Sequence, residues 1–166
     1  WQLWIYSNSS NFSYYITVTS WELNLTYDDS TPLDPPITSG TIYAGSSFST
    51  SGSGITTSDL TITDVGTITD INIELNATCA NSDDGLGNKD WRLISPYGTV
   101  VDLAVSSYFN NSYTLSATVL DDESATTINS GIAPYIGSFQ PDGNLSDFDG
   151  ESMTGTWQLW IYSNSS

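Results

Sequence analysis

Apolar and polar residues alternate along most of this chain, and the alternation marks out a series of short strands. Over residues 14–27, Trp21, Leu23 and Leu25 alternate with Glu22, Asn24 and Thr26, the period-two signature of a strand with one buried face. Leu60 and Ile62 lead into a turn at Asp64-Val65-Gly66. Beyond it Ile71, Ile73, Leu75, Ala77 and Cys79 share one face, and Asn72, Glu74, Asn76 and Thr78 the other. Further strands are predicted at 91–94, 100–105, 113–120 and 138–141, with a loop over 81–88 and turns at Ser95-Pro96-Tyr97-Gly98 and Asp121-Asp122-Glu123. No segment of useful length carries a helical period. Short alternating strands between turn signals predict an all-β fold, a sandwich or jelly roll.

One predicted strand occurs twice. The decapeptide Trp1-Gln2-Leu3-Trp4-Ile5-Tyr6-Ser7-Asn8-Ser9-Ser10 recurs without change from Trp157 to Ser166, 156 positions later, which is about the length of a domain. Trp1, Leu3 and Ile5 fall on one face and Trp4 and Tyr6 on the other, so the strand is apolar on both sides. A strand buried between layers, or one meeting a neighbouring subunit, has that character. The repeat reads as one period of a tandem array, or as a strand that separate subunits exchange; an accidental duplication is the third reading. Either of the first two gives an extended polymer, because a head-to-tail contact that does not close propagates. The residues expected to make that junction are Trp1, Leu3, Trp4, Ile5, Trp157, Leu159, Trp160 and Ile161.

Between these strands lies a stretch of different composition. Pro32, Pro35 and Pro36 stiffen its first part, and residues 45–54 are rich in Gly and Ser. The composition predicts a linker, with residues 40–44 added to a sheet edge. The expected division is 1–27 as terminal strands completing a neighbouring domain, 28–56 as linker, and 57–166 as the main sandwich.

Charge narrows the partners. Lys89 and Arg92 are the only basic residues against 19 acidic ones, a net charge of −17. Such a surface repels phosphate backbones and anionic bilayers, so neither nucleic acid nor membrane insertion is expected. The sequons beginning at Asn8, Asn11, Asn24, Asn76, Asn110, Asn144 and Asn164 fit N-x-[ST] and point to an exported glycoprotein. Cys79 is the only cysteine, so no disulfide staples the fold from within, and it reads as a small buried hydrophobe. There is no visible signal peptide or lipidation motif. The chain has no histidine, which excludes a Ser-His-Asp triad within it.

Several motifs stand in order: Gly66-Thr67-Ile68-Thr69-Asp70-Ile71, Asp90-Trp91-Arg92-Leu93-Ile94-Ser95-Pro96-Tyr97-Gly98, Gly131-Ile132-Ala133-Pro134-Tyr135-Ile136-Gly137, Asp147-Phe148-Asp149-Gly150 and Gly155-Thr156-Trp157-Gln158-Leu159. In these the chain resembles the P domain (Homo B domain) that follows the catalytic domain in proprotein convertases and in many bacterial secreted proteases. The resemblance implies an all-β jelly-roll β-sandwich of P-domain type, split across a repeat boundary. Its last two strands follow Gly155-Thr156-Trp157, and residues 14–27 are then the partner of 157–162. The Asp-rich turn the family often carries between those strands is replaced here by Asn8, Asn11 and Tyr14.

Two kinds of site remain. Calcium takes about six to eight oxygen ligands from turns, and bacterial P domains are similar in carrying it near the acidic loops. Asp84, Asp90, Asp121 and Asp122 are the candidate ligands, the alternative being turn residues that cap their own amides. Asp147, Asp149 and Glu151 are grouped as glycosidase carboxylates can be, but they flank Gly150 in what reads as a structural turn, and no catalysis is expected. The expected function is a structural repeat or subunit of an extracellular, N-glycosylated filament or cell-surface fibre, its partners being copies of itself. The alternative is a P-domain binding or stabilising module attached to a secreted protease or adhesin.

Overall fold

The computed structural model describes residues 16–29, 38–50, 53–80, 85–87, 89–105, 109 and 112–163. The strands are β1 (Ile16–Asp28), β2 (Thr38–Gly45), β3 (Phe48–Ser49), β4 (Gly54–Ile62), β5 (Thr67–Cys79), β6 (Lys89–Ile94), β7 (Val100–Ala104), β8 (Thr114–Leu120), β9 (Gly137–Phe139) and β10 (Gly155–Ser163). Two short 3₁₀ turns, η1 (Ile128–Ser130) and η2 (Leu145–Phe148), interrupt the later loops. The strands form two sheets: a larger one in the order β2-β1-β5-β8-β9, with β3 also on β1, and a smaller one in the order β4-β10-β6-β7. All neighbours are antiparallel except β8 and β9.

The sequence alternation becomes the two inner faces of a sandwich. From the larger sheet Trp21, Leu23, Leu25, Ile71, Ile73 and Leu75 are buried; from the smaller, Ile62, Trp91, Leu93, Trp157, Leu159 and Ile161. Transfer of each such side chain from water contributes about 1.5–3 kcal/mol. Edge-to-face contacts run from Trp91 to Phe109, on to Tyr135, and then to Phe139, with centroids 6.1, 5.1 and 6.1 Å apart. Aromatic quadrupoles favour that geometry. Trp21 ties the sheets by a polar route as well: its Nε1 donates to Ser58 Oγ at 3.1 Å, and Ser58 Oγ donates to the Ser46 carbonyl at 3.1 Å. Cys79 is buried at the end of β5.

Much of the stretch expected as a linker is built into the sheets. Residues 38–45, 48–49 and 54–56 of the 28–56 stretch are strand: β2 pairs with β1 over eight residues and β3 touches β1, while Ser46 and Ser47 form an exposed connection and Thr50 is 1% exposed. The edge strand expected at 40–44 is β2. Gly/Ser-rich sequence can do this because an edge strand needs backbone hydrogen bonds on one side and little side-chain burial. Gly45 is required outright, since a Cβ there would lie 2.0 Å from the Trp21 ring. Residues 16–28 of the stretch expected to complete a neighbouring domain form β1, which here lies between β2 and β5 of its own chain, pairing with β5 from Ile16↔Cys79 to Asp28↔Thr67. The expected strand at 1–7 lies outside the described residues.

Candidate functional site

The repeated decapeptide gives the structure its most specific feature, the seat of β10. Gly155 opens the strand at φ +131° with Pro96 against it; a Cβ there would meet Pro96 at 2.6 Å, so only glycine lets the chain enter. Both edges of β10 are then occupied, by β4 from Gly155↔Ile62 to Ser163↔Gly54 and by β6 from Gln158↔Ile94 to Ser163↔Lys89. A central strand has no spare backbone donors or acceptors for another partner.

Its two faces are read differently. Inward, Trp157, Leu159 and Ile161 are wholly buried. Trp157 meets Phe148 edge-on at 5.1 Å and donates Nε1–H to the Met153 carbonyl at 3.0 Å. Outward, Gln158 Nε2 donates to Asp59 Oδ1 at 2.9 Å. Trp160 lies under the Arg92 guanidinium, 4.8 Å from its ring centroid, and stacks with Tyr162 at 6.1 Å and 23°. Arg92 Nε donates in turn to Asp102 Oδ1. One of the two basic residues thus covers a tryptophan of the repeated strand, an interaction of about 0.5–1 kcal/mol at a half-exposed site. Trp157, Leu159, Trp160 and Ile161 therefore all belong to one built seat; Trp1, Leu3, Trp4 and Ile5 lie outside the described residues.

The described acidic candidates fall on two parts of the fold. Asp90 sits on β6 in the smaller sheet, while Asp121 and Asp122 occupy the turn after β8 in the larger one; Asp84 lies outside the described residues. Asp122 accepts the amides of Leu145 and Ser146 at 3.0 and 2.8 Å, one on each carboxylate oxygen, and so anchors η2. Asp121 Oδ1 accepts the Glu123 amide at 2.8 Å. Among the described residues no group of three or more His, Cys, Asp or Glu is placed to hold a metal ion.

The same region carries the chain's self-repulsion. Burial holds the Asp70 carboxyl above its ordinary value; a hydrogen bond from the Ile71 amide opposes this, and the charges of Asp121 and Asp122 add to the rise. Asp149 is raised by burial and then by Asp70 and Asp122. Glu151 Oε1 accepts the Thr99 hydroxyl and its carbonyl accepts the Ile68 amide at 2.9 Å, so this turn is tied into the structure on both sides. A polar cavity of about 490 Å³ opens nearby, lined in part by Asp122, Gln140, Asp142 and Asn144.

The sequons divide by geometry. Asn24 and Asn144 are exposed, on the outer face of β1 and just before η2. Asn76 also faces outward, but its carboxamide is engaged. Oδ1 accepts the Ala117 amide at 2.7 Å, and Nδ2 donates to Ser20 Oγ at 3.1 Å and Glu74 Oε1 at 3.2 Å. This stitches the bulge where β8 passes β5, with Ala117 at φ 46°. Asn8, Asn11, Asn110 and Asn164 lie outside the described residues.

No family model, curated protein or solved structure matches the chain. Sequence reasoning missed the Arg92–Trp160–Tyr162 stack and the entry role of Gly155. The outward spacing of Trp160 and Tyr162 could have signalled the first; only the approach of Pro96 reveals the second.

Proposed function

We propose that this chain is a repeating structural unit of an extracellular, N-glycosylated filament or cell-surface fibre, its units joined in tandem through the decapeptide strand. One observation carries the reading. Among the described residues the sandwich has one seat built for Trp157-Gln158-Leu159-Trp160-Ile161-Tyr162-Ser163, and the sequence holds that strand twice. A 156-residue period supplies one strand per seat, so in a tandem array each copy of the strand has a place.

The surface suits the setting. Two basic residues leave few cleavage points for trypsin-like proteases, the exposed sequons at Asn24 and Asn144 offer glycan sites, and a charge of −17 keeps the units from collapsing on one another. No helix among the described residues is long and apolar enough to cross a membrane.

An antibody raised against the folded chain and applied to its cells of origin is expected to decorate fibres outside the cell. The captured material, once deglycosylated, is expected to run on denaturing gels at many times 18.0 kDa. A single band near 18.0 kDa, or label confined to the cell interior, overturns the proposal.

A further inference from the structure

We infer that the exchangeable part of this fold is larger than the decapeptide: residues 16–50, carrying β1, β2 and β3, dock along the side of β5 opposite β8, either in their own copy or in the preceding one. The occupant of that edge is a second copy of this chain, and the exchange interlocks neighbouring globules. The inference rests on the tandem reading for the source of its partner.

The argument is one of chain length. The docked unit makes its long contact through β1, whose Ile16, Val18, Trp21, Leu23 and Leu25 are wholly buried against β5 and the core, so the edge of β5 cannot be left empty. Its two connections leave from the same end of the sandwich. Thr50 donates its amide to the Ile16 carbonyl at 2.8 Å, and Ile16 donates its own to Thr50 Oγ1 at 3.1 Å. Gly54, four residues further on, is the register partner of Ser163. Ser163 and Ile16 therefore stand within about 25 Å, taking ladder neighbours at about 5 Å and four extended residues between Thr50 and Gly54.

In a tandem array the strand β10 is followed by the sequence of residues 8–15 and then by the next copy's β1. Those eight residues reach about 30 Å when extended, which exceeds the largest separation they must cross. The next copy's β1 can therefore turn back into the sandwich that β10 has just completed, landing in the register that the copy's own β1 holds here. The competing closure runs through the three residues 51–53 into β4. Closing eight residues rather than three costs only about a fourfold factor in probability, so neither arrangement is excluded by chain entropy. The family-like strand order expected from sequence, in which 14–27 follows 157–162, and the order observed here are two closures of one fold.

Two chains test this. In the first, residues 54–166 are followed by 11–50, which recreates the eight-residue connection without foreign sequence. It is expected to be a folded monomer with the parent's near-ultraviolet circular dichroism and a melting midpoint within a few degrees of it. A permutant that is unfolded or forms only aggregates, beside a folded parent, overturns the inference. In the second, residues 1–166 are followed by 11–166, with Cys79→Ala in both copies, Glu74→Cys in the first only and Glu22→Cys in the second only. Glu22 and Glu74 are register partners on the outer face, so a disulfide forms only if the second copy's β1 docks on the first copy's β5. We expect that linked peptide by mass spectrometry under mild oxidation; its absence overturns the exchange. Neither experiment depends on fibre location or native mass, so an intracellular 18.0 kDa product would sink the filament and the natural source of the second copy, while the two chains would still decide whether the fold can close both ways.

Discussion

If residues 1–7 and 157–163 are equivalent strands for one seat, truncating Trp157 should do little until Trp1 is truncated too. Trp157 is wholly buried, packed edge-on against Phe148 and hydrogen-bonded to the Met153 carbonyl. Removing such an indole costs about 3–5 kcal/mol through lost transfer energy and the cavity left behind. At this chain length each kcal/mol moves the melting midpoint by about 2–4 °C, so about 4 kcal/mol means a fall of roughly 8–16 °C. The span from Ser163 to Ile16 lets residues 1–7 of the same chain enter the seat through residues 8–15. Trp157→Ala alone should then cost less than about 1 kcal/mol, because the intact copy replaces the damaged one. Trp1→Ala alone should cost nothing measurable, and the double variant should show the whole loss. Thermal unfolding followed by near-ultraviolet circular dichroism, with urea unfolding as a second probe, reads all three. If Trp157→Ala alone is as destabilised as the double variant, the two strands are not interchangeable and the reasoning fails.

Three further outcomes follow from the site geometry. Mass spectrometry of glycopeptides from a secretory host is expected to find glycan on Asn24 and Asn144 but not on Asn76, whose carboxamide is spent within the sheet; full occupancy at Asn76 would contradict that assignment. The raised carboxyls of Asp70 and Asp149 bind protons more tightly folded than unfolded, so their contribution favours folding at low pH and is lost as pH rises through their folded values. From the ordinary carboxylate value of 3.8 upward the melting midpoint should accordingly lose this contribution as pH rises, and Asp70→Asn should flatten that part of the slope; an unchanged slope would refute the coupling. If Asp122 serves as a cap, through the Leu145 and Ser146 amides it accepts, chelator treatment is expected to leave the midpoint unchanged. A fall reversed by calcium but not by magnesium would overturn that expectation.

The acidic turns show why a site is harder to read than a strand. Asp90 and Asp121 look alike in sequence, acidic residues beside turns, yet one lies on the smaller sheet and the other on the larger. Whether Asp122 is a ligand or a cap depends on where Leu145 and Ser146 pass, 23 and 24 residues later. No local pattern encodes that. Asn76 teaches the same lesson, since its outward position was legible and the Ala117 amide it accepts was not.

Sequence alone determined the strands whose side chains face a core: β1, β5, β6 and β10 alternate because every second residue must leave water, and that need is written one residue at a time. It also determined that one strand is present twice and that the chain holds no histidine. The tertiary structure decided which edges meet. β2 carries no fully buried side chain among those described, and Ile42 is 62% exposed, so its place beside β1 left no hydrophobic signature and its sequence passed for a linker. Backbone hydrogen bonds are the same for every residue type, so strand order is fixed by packing and chain length, which exist only once the whole chain is folded.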